Sequence, residues 1–165
     1  MTIRTHPAPA VAVPSGRARL ARGATASWLE HGTVVAWLDH GLLLRGPSGI
    51  GKSDLAVRLI EAGAELVADD LVRLEVIDNR VVAGTADGRG LIELRGQGIF
   101  RLPARETARL DLCVELGPPA AMPERLPAVA SIELGGIELP SYRLDPLSAS
   151  ATARLRILLT AERMW

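Results

Sequence analysis

The sequence predicts a mixed α/β domain built around a strand, a glycine-rich loop and a helix. Three observations carry that prediction. A buried-looking apolar run, Leu42-Leu43-Leu44-Arg45, leads straight into Gly46-Pro47-Ser48-Gly49-Ile50-Gly51-Lys52-Ser53. A helical pattern starts at Lys52. Beyond it, β-like runs separated by turn signals fill most of the second half, up to a last helix near the C-terminus.

The chain has 165 residues, enough for one domain with one core. Apolar residues make up 48%, which excludes general disorder. No apolar run approaches the ~18 residues of a membrane span. Nineteen basic residues balance nineteen acidic ones, whereas a nucleic-acid binder of this size would carry a basic surplus. The N-terminus lacks the apolar stretch of a secretory signal, and the single Cys113 excludes an internal disulfide framework. The expectation is a cytoplasmic protein with neither a nucleic-acid nor a membrane partner.

Residues 1–26 are rich in Pro, Ala, Ser, Gly and Arg without periodicity and read as a flexible arm, so the folded unit is expected over 27–165. Residues 33–38 read as a strand, Asp39-His40-Gly41 as a turn, and 42–45 as a buried strand. From Lys52, Leu55, Ala56, Leu59 and Ile60 fall on one helical face, and Gly63 is a natural stop. Residues 65–68 form a strand that ends in Asp69-Asp70. Residues 71–77 and 81–82 flank the hairpin signal Asp78-Asn79-Arg80. Strands follow at 91–94 and 110–116, then a proline-rich loop over 117–127. A hairpin turns at Gly135-Gly136. Pro146 precedes a helix to about Arg163, with Ala151, Leu155, Leu158 and Leu159 as its buried stripe.

Gly46 to Ser53 matches G-x-x-x-x-G-K-[ST], the phosphate-loop pattern, in the strand–loop–helix context the pattern requires. The three glycines let the backbone turn its N–H groups inward and leave no Cβ in the way. The helix start adds unpaired N–H groups and a positive dipole end. Lys52 would reach the β and γ phosphates, and Ser53 would offer its hydroxyl to Mg²⁺. Of nineteen cationic residues eighteen are Arg, and the one lysine is Lys52. Chance would produce the pattern in roughly one such chain in a thousand. That same sole lysine rules out the N-K-x-D guanine reader of common GTPases.

Asp69 and Asp70 lie where a carboxylate can ligate Mg²⁺ while its neighbour faces an acceptor hydroxyl as base. Glu93 offers a further metal carboxylate, and Gly96 and Gly98 would let backbone approach a phosphate or a partner. His31 precedes the first core strand. Arg125, in the proline-rich loop, could clamp developing phosphoryl charge.

Together these residues resemble the C-terminal catalytic domain of HPr kinase/phosphorylase, a P-loop fold of the PEP carboxykinase-like kind. The resembling pieces are His31-Gly32, the run from Gly46 to Asp70, Glu93 to Ile99, Glu124-Arg125-Leu126 and Ile137 to Pro140. They cover about residues 27–146, in the family's order. The resemblance implies Mg²⁺-dependent phosphoryl transfer from ATP or pyrophosphate to a serine of the phosphocarrier HPr, with reverse phosphorolysis by inorganic phosphate. It implies Asp69 as base and, in reverse, acid; Ser53 and Glu93 on Mg²⁺ with Asp70 nearby; His31 and Arg125 at the active site; and Arg95, Gly96 and Gly98 near the docked protein. A homohexamer is also implied. Against the family pattern, only the arm precedes the domain, Pro47 replaces an acidic residue in the loop, and little chain follows the last helix. Two other functions keep the same loop: a small-molecule kinase, and a non-catalytic nucleotide sensor.

Overall fold

The computed structural model describes residues 27–86, 88–119, 128–162 and 164. The arm at 1–26 and the loop residues 120–127, Arg125 among them, lie outside the described residues.

Eleven strands and two helices follow in the order β1 (Ser27–His31), β2 (Thr33–Trp37), β3 (His40–Arg45), α1 (Lys52–Glu61), β4 (Glu65–Ala68), β5 (Leu71–Ile77), β6 (Arg80–Thr85), β7 (Leu91–Leu94), β8 (Gly98–Arg101), β9 (Thr107–Leu116), β10 (Ala130–Leu134), β11 (Ile137–Leu144) and α2 (Ala151–Thr160). Nine strands form one mixed sheet along the path β1-β5-β6-β9-β3-β2-β4, with β11 on β9 and β10 on β11. The parallel pairs are β3 with β9 and β9 with β11; the rest are antiparallel. β7 and β8 form a separate hairpin. The mixed α/β architecture is the one the sequence predicts.

The core lies on both faces of the sheet, because the central strands are apolar on both sides. On one face Val35, Leu42, Leu44, Leu112 and Val114 meet Leu55, Ala56 and Leu59 of α1 and Leu155 of α2. On the other, Val34, Leu43 and Cys113 meet Val72, Leu74, Val81 and Leu139. A bulge in β9 reconciles the two. Leu110 pairs with Gly41, but Leu112 pairs with Leu42, so Asp111 is extra and the alternation flips there.

That bulge corrects one expectation. Gly41 is a strand residue, not part of a turn: a Cβ there would collide with the Arg109 carbonyl. The turn lies at Leu38 (φ 52°) and Asp39 (φ 65°), a two-residue connection with both residues left-handed, as a type I′ hairpin requires. The sequence showed no glycine at either place, so Gly41 attracted the turn.

Other boundaries also move. β1 and β8 are strands that the sequence pattern does not mark. β9 starts at Thr107, and its first residues pair with β6. Helix α1 ends as predicted. Gly63 (φ 101°) donates to Ile60, and Ala64 donates to the Leu59 carbonyl, a Schellman closure. Helix α2 begins at Ala151, not after Pro146, since residues 145–150 are a bonded turn segment. Ala151 and Leu155 are buried, but Leu158 is exposed, which corrects the predicted stripe.

Candidate functional site

Strand directions bring the site together. β2 runs antiparallel to both β3 and β4, so those two point the same way. Their C-terminal ends, at Arg45 and Ala68, open on the same side of the sheet. Thr33, at the start of β2, lies there too, opposite Leu44. The glycine-rich loop leaves β3, and Asp69-Asp70 leaves β4.

The loop is built as its sequence requires. Gly46, Gly49 and Gly51 have φ of 147°, 81° and 109°, a region that only glycine enters without strain. Ile50 donates to the Pro47 carbonyl, and Leu55 of α1 donates back to Gly51. Lys52 Nζ folds over the loop, donating to the carbonyls of Gly46 (3.0 Å) and Pro47 (3.2 Å). These are weak neutral acceptors for an ammonium, available to be exchanged for a charged phosphate.

Asp69 is the most connected group. Thr33 Oγ1 donates to its Oδ1 at 2.7 Å. Ser53 Oγ lies 3.0 and 3.2 Å from its two oxygens. The backbone N–H of Glu93 donates to Oδ2 at 3.2 Å. Thr33 is fully buried. Sequence reasoning missed this threonine; its one signal is a hydroxyl opening the otherwise apolar β2, beside a histidine already singled out.

Asp70, next in sequence, is exposed and faces elsewhere. Its Oδ1 is 4.0 Å from His31 Nδ1, with both side chains more than four-fifths accessible. Backbone geometry separates the two aspartates. Leu71 N–H bonds the Asp69 carbonyl at 2.8 Å across Asp70, whose φ is 63°. A left-handed non-glycine residue in so tight a turn is strained, and such strain is often found at functional sites. Gly32 N–H bonds the Asp70 carbonyl at 3.1 Å, so the corners β1–β2 and β4–β5 are locked side by side. A Cβ on Gly32 would come within 2.9 Å of the Leu44 carbonyl.

Ser48, Lys52, Ser53, Asp69, Asp70 and Arg95 are among the residues lining a cleft of about 450 Å³, a volume in the range of small-ligand sites. Glu93 lines it as well, with Gly49, Gly51 and Gln97. The predicted Gly46, Pro47 and Ile50 belong to the loop, Gly96 lies in the β7–β8 turn beside it, and Gly98 opens β8. Among the described residues no three of His, Cys, Asp and Glu cluster as a self-sufficient metal cage. Ser53 and Asp69 offer one hydroxyl and one carboxylate. That donor set suits Mg²⁺, which takes one or two protein carboxylates and completes its shell with water and substrate phosphates.

Fold and site together define a mixed α/β domain in which a lysine-bearing glycine loop joins a central strand to a helix, with the aspartate that follows β4, two strands over, held on the loop's serine. A family model described as the HPr Serine kinase C-terminal domain matches residues 23–145, and the chain belongs to that family. HPr kinase/phosphorylase of Clostridium novyi (strain NT) is 48% identical over 65 residues, 38% of this chain and 21% of the relative. The protein of that name from Lachnoclostridium phytofermentans is 39% identical over 84 residues, 46% of this chain and 27% of the relative. The matched segments thus span only about a fifth to a quarter of those curated relatives. A solved structure, the Hpr(Ser) kinase/phosphatase from Coxiella burnetii, shares the fold with a TM-score of 0.71 at 24% identity, over 82% of this chain and 99% of that chain. No described helix is long and apolar enough to cross a membrane.

Proposed function

We propose that this domain transfers a phosphoryl group from ATP, or from pyrophosphate, to a serine of an HPr-type phosphocarrier protein, and runs the reverse phosphorolysis with inorganic phosphate. The single observation that carries this reading is the Ser53–Asp69 contact at the mouth of the glycine loop. It sets a Mg²⁺-type donor pair beside the one lysine able to grip a phosphate. Bound Mg²⁺ would neutralise phosphate charge between donor and carboxylate.

The contacts favour a division of labour between the aspartates that reverses the one the family resemblance implies. Asp69 already accepts from Thr33, Ser53 and Glu93, which suits a carboxylate fixed on the metal side. Asp70 is exposed and, among the described residues, has His31 as its one ion-pair neighbour, which suits the base. In the forward reaction Asp70 takes the serine proton as the serine oxygen bonds to the terminal phosphorus and the bridging oxygen leaves with the nucleoside diphosphate. In reverse, phosphate oxygen attacks the phosphoserine phosphorus, and Asp70 returns the proton to the departing serine oxygen. His31 holds the Asp70 carboxylate toward the acceptor. Lys52 and the loop N–H groups supply positioning and charge.

Arg125, proposed to reach the phosphoryl group, and Glu93, proposed to assist the metal, complete the set. By family resemblance the working form is a homohexamer. The test is incubation with γ-labelled ATP, Mg²⁺ and purified HPr, followed by locating the label. Phosphoserine on HPr is the expected result. Saturating ATP–Mg²⁺ with no labelled HPr would overturn the reading.

A further inference from the structure

We infer that Arg95 is a second phosphate-gripping cation, which contacts the phosphoryl donor rather than the docked acceptor protein. This rests on the phosphate-loop reading above and deepens it.

Three observations converge. Arg95 is the first central residue of the turn joining β7 to β8, closed by the Gln97 N–H to Leu94 carbonyl bond at 2.9 Å, with Gly96 (φ 79°) following. The hairpin is tied to the root of the cleft, because Glu93 N–H bonds Asp69. Arg95 is therefore carried to a set place two residues further on. That place is above the glycine loop: a Cβ on Gly49 would lie 3.1 Å from one guanidinium nitrogen and 3.5 Å from the other. A side chain at position 49 would thus occupy the ground where the guanidinium lies.

Charge completes the argument. Arg95 and Lys52 line the same cleft. Among the described residues Arg95 has no hydrogen bond and no carboxylate within ion-pair distance, unlike Arg45, Arg58, Arg73, Arg89 and Arg109. Of the cleft's carboxylates, Asp54 is taken by Arg58 at 3.1 Å and Asp69 by hydroxyl and amide donors. A planar, unpaired guanidinium across a glycine loop from an ammonium forms a two-sided grip suited to a polyphosphate.

Titration calorimetry with Mg²⁺–pyrophosphate and no acceptor protein present separates this role from docking. Wild type should bind. Arg95→Ala should weaken binding by roughly tenfold to a hundredfold, the worth of a charge-assisted hydrogen bond. Arg95→Lys, a point charge without the fork, should recover part of it. Lys52→Ala should lose binding altogether. The turn is exposed, so circular dichroism should show Arg95→Ala folded and melting as wild type does. Unchanged pyrophosphate affinity in Arg95→Ala, with binding still lost in Lys52→Ala, would overturn the inference and leave the phosphate loop standing. Failure of wild type to bind would overturn both.

Discussion

The cleft has a root and a rim, and they are built differently. At the root, Thr33 and Ser53 both donate to Asp69, which also accepts from the amide of Glu93. At the rim, Asp70 and His31 are exposed, with 4.0 Å between their nearest polar atoms. Two consecutive aspartates fall on opposite sides of this divide. The root is organised before anything binds, as a site for a compact, charged donor should be. Its shortest bond, at 2.7 Å, comes from the fully buried Thr33. The rim leaves its groups uncommitted, which suits the protein acceptor proposed above.

The largest break in this comparison would come from the loop itself. Lys52→Ala should reduce Mg²⁺–nucleotide affinity by more than about a hundredfold, while the fold survives, because the ammonium bonds only two loop carbonyls. Equilibrium binding by calorimetry, with circular dichroism as control, checks this.

Removing the brace is the next test. Thr33→Val keeps the volume of a buried side chain and deletes the 2.7 Å donor to Asp69. The half-saturating Mg²⁺ concentration should rise by about tenfold with little change in HPr affinity. Thr33→Ser should restore it. An unchanged Mg²⁺ dependence would mean the root holds Asp69 without Thr33.

At the rim, His31→Ala should leave Mg²⁺–nucleotide binding intact and lower the rate of serine phosphorylation by about tenfold, in line with a residue that orients a base. A loss of nucleotide binding instead would erase the distinction between rim and root.

The smallest effect lies away from the cleft. Burial, then Glu115, pushes the Cys113 thiol up to about 12 from an ordinary value of 9.0. Folded protein at pH 8 should therefore resist alkylation that unfolded protein accepts quickly. The sign for stability follows. Above pH 9 the unfolded chain releases this proton and the folded chain holds it, so Cys113 should subtract stability as pH rises from about 9 toward 12. Alkylation rates with and without denaturant, and denaturant midpoints across that range, measure both.

The loop's conformation was legible in the sequence, because its constraints are local: glycines for left-handed turns, and a strand and helix on either side. The helix end at Gly63 and the hairpin at Gly135-Gly136 were legible for the same reason. What the sequence hid depends on distant neighbours. Gly41 marked a close approach to Arg109, not a turn. Leu38 accepts a left-handed conformation only because β2 and β3 pair around it. The brace from Thr33 joins residues 36 apart. The sequence showed two adjacent carboxylates but not that one is bonded inward and the other exposed, since that difference comes from the tight turn at Asp70 and from Gly32 locking one corner against another.

The division of the two aspartates is tested most directly by comparing Asp69→Asn with Asp70→Asn in one pair of assays: Mg²⁺-dependent ATP binding, and label transfer to the HPr serine. Asp69→Asn should lose the Mg²⁺-dependent part of ATP binding. Asp70→Asn should bind Mg²⁺–ATP as wild type does and transfer label at least about a hundredfold more slowly. An Asp69→Asn protein that binds Mg²⁺–ATP normally, beside an Asp70→Asn protein that still phosphorylates HPr at full rate, would contradict the account.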